Sequence, residues 1–334
     1  MSRSSLVEKR QSKAIDAFQS VEELEQHGVM ATDVKKLREA GIMTCLGVLQ
    51  RPRRALLEIK GLSEAKVDKI LAAARLEGGL CYRTGAERLS ARQRVFRLST
   101  GSSALDALLG GGLESASVTE IYGEYRCGKT QLCHTLAVTA QASDEAHAGK
   151  VVYIDTEGNF RPERIGSIAE RFGVDAEDVL ENIAHARAYT TDQQLELLRE
   201  AAALMCESRF ALVIVDSATA LYRVDYSGRG ELSARQQHLN QFMSSLSKLA
   251  EEFNVCALIT NQVQACPDGA AAMFSANPLK PIGGHIVAHA STTRLALRKG
   301  RAEQRIAKLV DSPCLPEGEA TFEIAAGGVT DAAE

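Results

Sequence analysis

Two hydrophobic rhythms divide the chain. Over residues 21–76, Leu, Val and Ile recur every three and four positions, the period of packed helices, and predict a compact helical unit. From residue 98 onward, apolar-rich runs at 118–122, 151–155, 211–216 and 255–260 alternate with amphipathic stretches at 129–141, 162–172, 191–206 and 233–253. Strands that are apolar on both faces belong in a sheet covered on both sides, so this half predicts an α/β core with a mostly parallel central sheet. Shorter β-rich stretches at 292–298, 305–311 and 320–324 close the chain. Residues 1–20 are polar and read as a disordered tail. Residues 77–97 mix Gly78, Gly79 and Gly85 with several Arg and few large apolar residues, the composition of a linker. The order predicted is tail 1–20, helical domain 21–76, linker 77–97 and core 98–334.

Inside the helical unit, Ile59-Lys60-Gly61-Leu62 leads to Ser63 and a second helical run. Ser63 fits an N-cap and Gly61 permits a tight turn. Such a helix-hairpin-helix either packs only or offers its turn amides to a DNA phosphate.

The sharpest motif in the core follows the first apolar run: Gly123-Glu124-Tyr125-Arg126-Cys127-Gly128-Lys129-Thr130, with Gln131 opening the next helical stretch. It fits G-x-x-x-x-G-K-[ST]. Loop amides and a helix N-terminus meet triphosphate charge with aligned dipoles. In such a loop Lys129 reaches the β- and γ-phosphates and the Thr130 hydroxyl holds Mg²⁺. The chain is expected to bind a nucleoside triphosphate.

Three further strand ends carry polar groups toward the same edge. The run 211–216 ends in Asp216, placed to hold the Mg²⁺ shell. Glu157, just past 151–155, is the candidate to orient and deprotonate water. Gln262, after Thr260-Asn261, could sense a γ-phosphate through its amide. Beyond it, 264–285 is rich in Gly, Ala and Pro and carries Met273 and Phe274, which could wedge between bases. A second loop, 222–232, has Arg223 and Arg229 with Arg235 just beyond. One basic and one apolar loop on a single edge suit single-stranded DNA.

Bulk properties narrow the class. A net charge of −4 argues against wholesale coating of nucleic acid, though not against a local basic groove. The eight cysteines include no C-x-x-C pair, which predicts reduced thiols in cytosol or nucleus. The first thirteen residues lack the apolar centre of a signal peptide, and no apolar run nears the length of a membrane span.

These motifs together resemble the RecA/RadA superfamily, in its eukaryotic branch of DNA strand-exchange recombinases. The matching runs are 122–135, 153–164, 215–236, 261–263 with 281–305, and 311–316, and the likeness extends from about residue 21 to 330. The runs Asp225-Tyr226-Ser227-Gly228-Arg229-Gly230-Glu231-Leu232-Ser233-Ala234-Arg235-Gln236 and Lys280-Pro281-Ile282-Gly283-Gly284 are very specific to it. The stretches around Asp216-Ser217-Ala218-Thr219 and Asp311-Ser312-Pro313 look like the general recombinase. Gly284-His285-Ile286 and Arg305-Ile306-Ala307-Lys308 look more like its meiotic sister, and the general branch is favoured.

The resemblance implies a nuclear protein that forms helical filaments or rings with itself, binds single- and double-stranded DNA, and uses ATP and Mg²⁺ between subunits, with recombination mediators as partners. It implies Lys129 and Thr130 on phosphate and Mg²⁺, Glu157 as base, and Arg164 flanking adenine. Gln262 and His289 would relay the γ-phosphate state, and Asp311 and Pro316 would cap the adjacent subunit's nucleotide. Arg229, Arg235 and the 264–285 loop would hold DNA, with Arg126, Arg298 and Lys299 near the groove.

Three departures stand out. The family's Phe-x-x-Ala docking plug reads Tyr82-Arg83-Thr84-Gly85 here, which predicts weaker self-assembly without DNA. Cys127 replaces a Thr in the phosphate loop; beside Lys129 and a helix N-terminus its thiol is expected to have a lowered pKa and be oxidation-sensitive. The segment 264–273 is one residue longer than the pattern and contains Cys266-Pro267. The readings that compete with a general recombinase are the meiotic recombinase and a non-catalytic ATP-binding paralogue that regulates filaments.

Overall fold

The computed structural model describes residues 18–78, 82–226, 228, 230–265 and 279–333. It divides into two compact units, Met1–Val95 with Leu198–Arg209 and Glu251–Asn254, and Phe96–Leu197 with Phe210–Ala250 and Val255–Glu334.

In the first unit a 3-10 helix, Val21–His27, and helices Ala31–Glu39, Cys45–Leu49, Arg53–Leu57 and Glu64–Gly78 enclose a core of Leu24, Leu37, Val48, Leu56, Val67 and Ile70. Ser20 forms a capping box with Glu23 at the first helix start. Gly61, at φ +85°, makes the turn between the last two helices, and Lys36 Nζ donates to its carbonyl at 2.9 Å. Within the stretch read as linker, Gly85–Ala91 is a helix. Its start is a second capping box, with Thr84 N–H donating to Glu87 at 2.7 Å and Glu87 N–H to the Thr84 hydroxyl at 3.2 Å. Composition hid this helix because its stabilisation is local and polar.

The second unit is built on strands β1 (Arg97–Leu98), β2 (Leu113–Glu114), β3 (Ser117–Gly123), β4 (Lys150–Asp155), β5 (Ile183–Arg187), β6 (Phe210–Asp216), β7 (Cys256–Asn261), β8 (Val263–Ala265), β9 (Leu279–Pro281), β10 (Thr293–Lys299), β11 (Gln304–Asp311), β12 (Gly318–Ala325) and β13 (Gly328–Asp331). Nine of them form one sheet in the order β13-β12-β11-β10-β3-β7-β6-β4-β5. From β10 to β5 every pairing is parallel, and β11, β12 and β13 continue antiparallel. The carboxyl ends of β3, β4, β6 and β7 therefore share one edge, the edge on which ligands bind in open parallel sheets. β6 is buried along its whole length, as an unbroken apolar run requires.

The edge strand β5, Ile183-Ala184-His185-Ala186-Arg187, went unread because it has one large apolar residue and no clear alternation. The short helices Ser103–Leu108, Ala176–Glu181 and Gly284–Ala290 were missed for the same lack of signal. Residues 264–285, read as one loop, begin within β8 and end in β9 and the start of a helix; β8 and β9 pair antiparallel. Among the described residues no helix is long and apolar enough to cross a membrane.

Candidate functional site

β3 ends on Gly123, and the helix Lys129–Ala142 starts six residues after it. The turn between them is built on glycine. A Cβ at Gly123 would lie 2.2 Å from the Leu297 carbonyl oxygen on β10, and one at Gly128, at φ +99°, would meet Ile324 at 2.8 Å. Lys129 Nζ donates to the carbonyls of Gly123 and Glu124, both at 2.9 Å, so it lies along the loop. Tyr125 is largely exposed, with the Arg126 guanidinium 5.5 Å from its ring centre. A cavity of about 890 Å³ opens here, lined by all of 123–131 together with Glu157, Arg164, Asp216, Gln262 and Lys299. That volume suits a nucleotide.

Asp216 sits at the bottom, 3% exposed. Thr130 donates to its Oδ2 at 2.8 Å, Tyr153 to the same oxygen at 3.2 Å, and Thr260 to Oδ1 at 2.5 Å. Burial pushes the Asp216 carboxyl upward; the Thr260, Thr130 and Tyr153 hydroxyls pull it back, and the Glu157 charge adds to the rise. A buried carboxylate beside a hydroxyl, both hard oxygen donors, calls for a small cation, so the residues fit Mg²⁺. Among the described residues no cluster of three or more His, Cys, Asp or Glu forms a metal cage.

Glu157 lies above Asp216. Ser217 donates to its Oε1 at 2.9 Å and Gln262 to the same oxygen at 2.7 Å, while Asn159 donates to Oε2 at 3.2 Å. Arg223, at the start of the 222–232 loop, donates to the Gln262 side-chain Oε1 at 3.0 Å. A continuous hydrogen-bonded path thus runs from Glu157 to the roots of both loops, since Val263 opens β8.

Arg164 donates to Gln131 at 2.9 Å and to the carbonyls of Ala325 and Ala326. Lys299 and Arg126 line the cavity. Arg298 pairs with Glu319 at 3.0 Å. Arg235 lies in the first turns of the helix Leu232–Phe253. His289 stacks on His285 at 5.7 Å in Gly284–Ala290, away from the cavity lining. Asp311 ends β11, and Pro316 lies between β11 and β12; neither borders the cavity. Arg229, Met273, Phe274 and Cys266 lie outside the described residues. Tyr82 is fully exposed, and Gly85 is the first residue of its helix.

One expectation is overturned. The Cys127 thiol is 1% exposed, and burial raises its pKa above the ordinary value. Lys129 Nζ, 3.7 Å away, lowers it, but the loss of solvent outweighs that charge.

The site also includes residues that sequence reading passed over. His134 and Arg161 line the cavity, and Arg161 N–H donates to His134 Nε2 at 3.1 Å. Arg305, 9% exposed, reaches the cavity from β11. His134 lies in the helix that the phosphate loop opens, four residues past the motif, with no pattern of its own to mark it; Asp155, at the end of an apolar strand beside Glu157, was the one with a legible signal.

The Rad51 family model matches residues 91–332. The chain belongs to the Rad51 family. Over 313 residues it is 58% identical to the DNA repair protein RAD51 homolog of Solanum lycopersicum, covering 93% of this chain and 91% of that protein. It is equally identical to the DNA repair protein RAD51 homolog 1 of Arabidopsis thaliana, over the same 93% of this chain and 91% of the relative. The meiotic recombination protein DMC1 homolog B of Oryza sativa subsp. japonica is 56% identical over 319 residues, 95% of this chain and 92% of that one. Similarity to this Rad51-family group favours the RAD51 branch over DMC1.

Proposed function

We propose that this protein is an ATP-dependent DNA recombinase of the nucleus, which forms filaments on single-stranded DNA, searches for homology and exchanges strands in the repair of double-strand breaks. The observation that carries this reading is the path Glu157–Gln262–Arg223, which links the phosphate-loop cavity to two loops on the same sheet edge. The RAD51 homologues named as DNA repair proteins support it.

In this reading the amides of 123–130 and Lys129 hold the phosphates, and Thr130 with Asp216 holds Mg²⁺. ATP with Mg²⁺, when bound, supplies the γ-phosphoryl group whose hydrolysis switches the DNA grip. Glu157 orients and deprotonates a water, its Oε1 fixed by Ser217 and Gln262. Arg164 flanks the base. Gln262 and His289 relay the state of the site toward the loops, where Arg229, Arg235, Met273 and Phe274 meet single-stranded DNA. Arg126, Arg298 and Lys299 extend the basic groove. Asp311 and Pro316 serve the neighbouring subunit's nucleotide, and Tyr82 to Gly85 docks one subunit on the next.

Strand exchange between oligonucleotides, with ATP and Mg²⁺, tests the reading by comparing the protein with Lys129→Ala. Exchange by the wild type that is lost in the variant is expected. ATP binding without exchange, even with Ca²⁺ slowing hydrolysis, would instead support a regulatory paralogue.

A further inference from the structure

We infer that Arg187, on the edge strand β5, is a positioning residue for Glu157 and acts through the Asp155 carboxylate. The inference rests on the reading of Glu157 as the base. Asp155 ends β4 and Arg187 ends β5, directly opposite each other in the parallel register. Asp155 is 3% exposed, yet its carboxylate gathers the turn that carries Glu157. Oδ1 accepts the N–H of Glu157 at 2.9 Å and of Gly158 at 2.6 Å, and Oδ2 accepts that of Phe160 at 3.2 Å. Arg187 donates to the same Oδ1 at 2.8 Å.

Burying a carboxylate strips its hydration, and unpairing a buried charge is costly. Beside the three amides, the Arg187 guanidinium is the cation that pairs with Asp155, with His185 Nε2 farther off at 3.8 Å from Oδ2. Arg187 also borders the turn: Gly158 is at φ +77°, and a Cβ there would stand in van der Waals contact, 3.4 Å from the Arg187 guanidinium. The far end of the turn is held from the same strand, because the Phe160 ring stacks on His185 at 4.6 Å. Arg187 itself does not border the cavity. Its influence reaches the site through Asp155, whose amide contacts hold Glu157 within reach of Ser217 and Gln262.

Steady-state ATP hydrolysis with single-stranded DNA tests this in the full chain. Arg187→Ala is expected to lower kcat about tenfold, since small misplacements of a reacting group cost such factors, with KM for ATP changed less than twofold. Arg187→Lys should recover part of the loss. In a Glu157→Gln background, adding Arg187→Ala should change the residual rate no further. Asp155→Asn should reproduce the kcat loss and mask Arg187→Ala, which covers the case of an Arg187→Ala protein that fails to fold. Undiminished kcat in Arg187→Ala, or losses that add to those of Glu157→Gln, would overturn the inference while leaving Glu157 as the base. Wild-type hydrolysis by Glu157→Gln alone would remove the reading on which it rests.

Discussion

Gln262 Nε2 donates to Glu157 Oε1 across 2.7 Å, on the same oxygen that accepts from Ser217. The two donors follow different strands, β7 and β6, so the carboxylate is oriented by the sheet edge and not by its own loop alone. The Oε1 of the same Gln262 amide meanwhile accepts from Arg223. One side chain therefore touches the candidate base at one end and a loop root at the other. Gln262→Ala is expected to keep ATP binding while lowering DNA-stimulated hydrolysis about tenfold, roughly the loss of one hydrogen bond to a charged group. Nucleotide-binding fluorescence and hydrolysis with and without single-stranded DNA measure it. Full stimulation in the variant would break the proposed coupling.

The tightest steric demand in the phosphate loop falls on Gly123. Its missing Cβ faces backbone, the Leu297 carbonyl at 2.2 Å, so relief would require moving β10. Gly123→Ala is predicted to cost about 2–3 kcal/mol of stability, at the upper end for overpacking, and to abolish ATP binding. Chemical denaturation and nucleotide titration report both effects. A variant with unchanged denaturation midpoint would show that the loop has more room than it does here.

The parallel half of the sheet was legible because β4, β6 and β7 are apolar along most of their length, a pattern imposed by burial on both faces, while in β3 the buried Glu120 is paired with Arg294. The phosphate loop was legible because its glycines answer local steric needs that recur wherever a chain wraps phosphate. What stayed hidden depends on neighbours distant in sequence. Arg187 belongs to no motif or predicted element in the sequence, and only the register sets it against Asp155. His134 reads as a helix residue until Arg161 folds over it. Cys127 was misjudged because sequence adjacency to Lys129 is visible, whereas burial is not.

Gly85 opens its helix with no atom within 4 Å of where a Cβ would stand, and its φ is not in the left-handed region. Alanine there meets no clash and raises helix propensity by up to about 1 kcal/mol. Tyr82, fully exposed in the same segment, carries a hydroxyl that any apolar docking pocket must satisfy. Tyr82→Phe with Gly85→Ala is therefore expected to strengthen self-assembly of the DNA-free protein. Sizing at low micromolar concentration checks it; a wild type already assembled into large rings or filaments would contradict the expectation.

His134 is 1% exposed, and burial, then the Arg164 and Arg161 charges, push its pKa down to about 4. A histidine lowered from its ordinary 6.5 stays neutral in the folded protein while the unfolded chain takes up a proton. Stability is thus full above about pH 6.5 and declines as pH falls toward 4, at about 1.4 kcal/mol per pH unit. Between pH 7 and pH 5 this group alone should remove about 2 kcal/mol. In His134→Gln that part of the acid loss should vanish, shown by urea unfolding at the two pH values. Equal acid losses in both proteins would count against the assignment.

Cys127 tests whether burial or charge governs a thiol in a phosphate loop. Lys129 Nζ lies 3.7 Å from Sγ, and this alone would favour thiolate. Burial opposes it and wins, because the ammonium is shared with the carbonyls of Gly123 and Glu124 while the sulfur has almost no solvent. Iodoacetamide or peroxide at pH 7.5 should leave Cys127 unmodified in the native protein, while the exposed Cys314 reacts. Peptide mapping after brief treatment distinguishes the two. Cys127→Thr should keep ATP binding, because the backbone does the cradling, and should leave the response of ATP hydrolysis to peroxide unchanged. Peroxide inactivation that reductant reverses, and that disappears in Cys127→Thr, would show that the lysine's charge prevails after all.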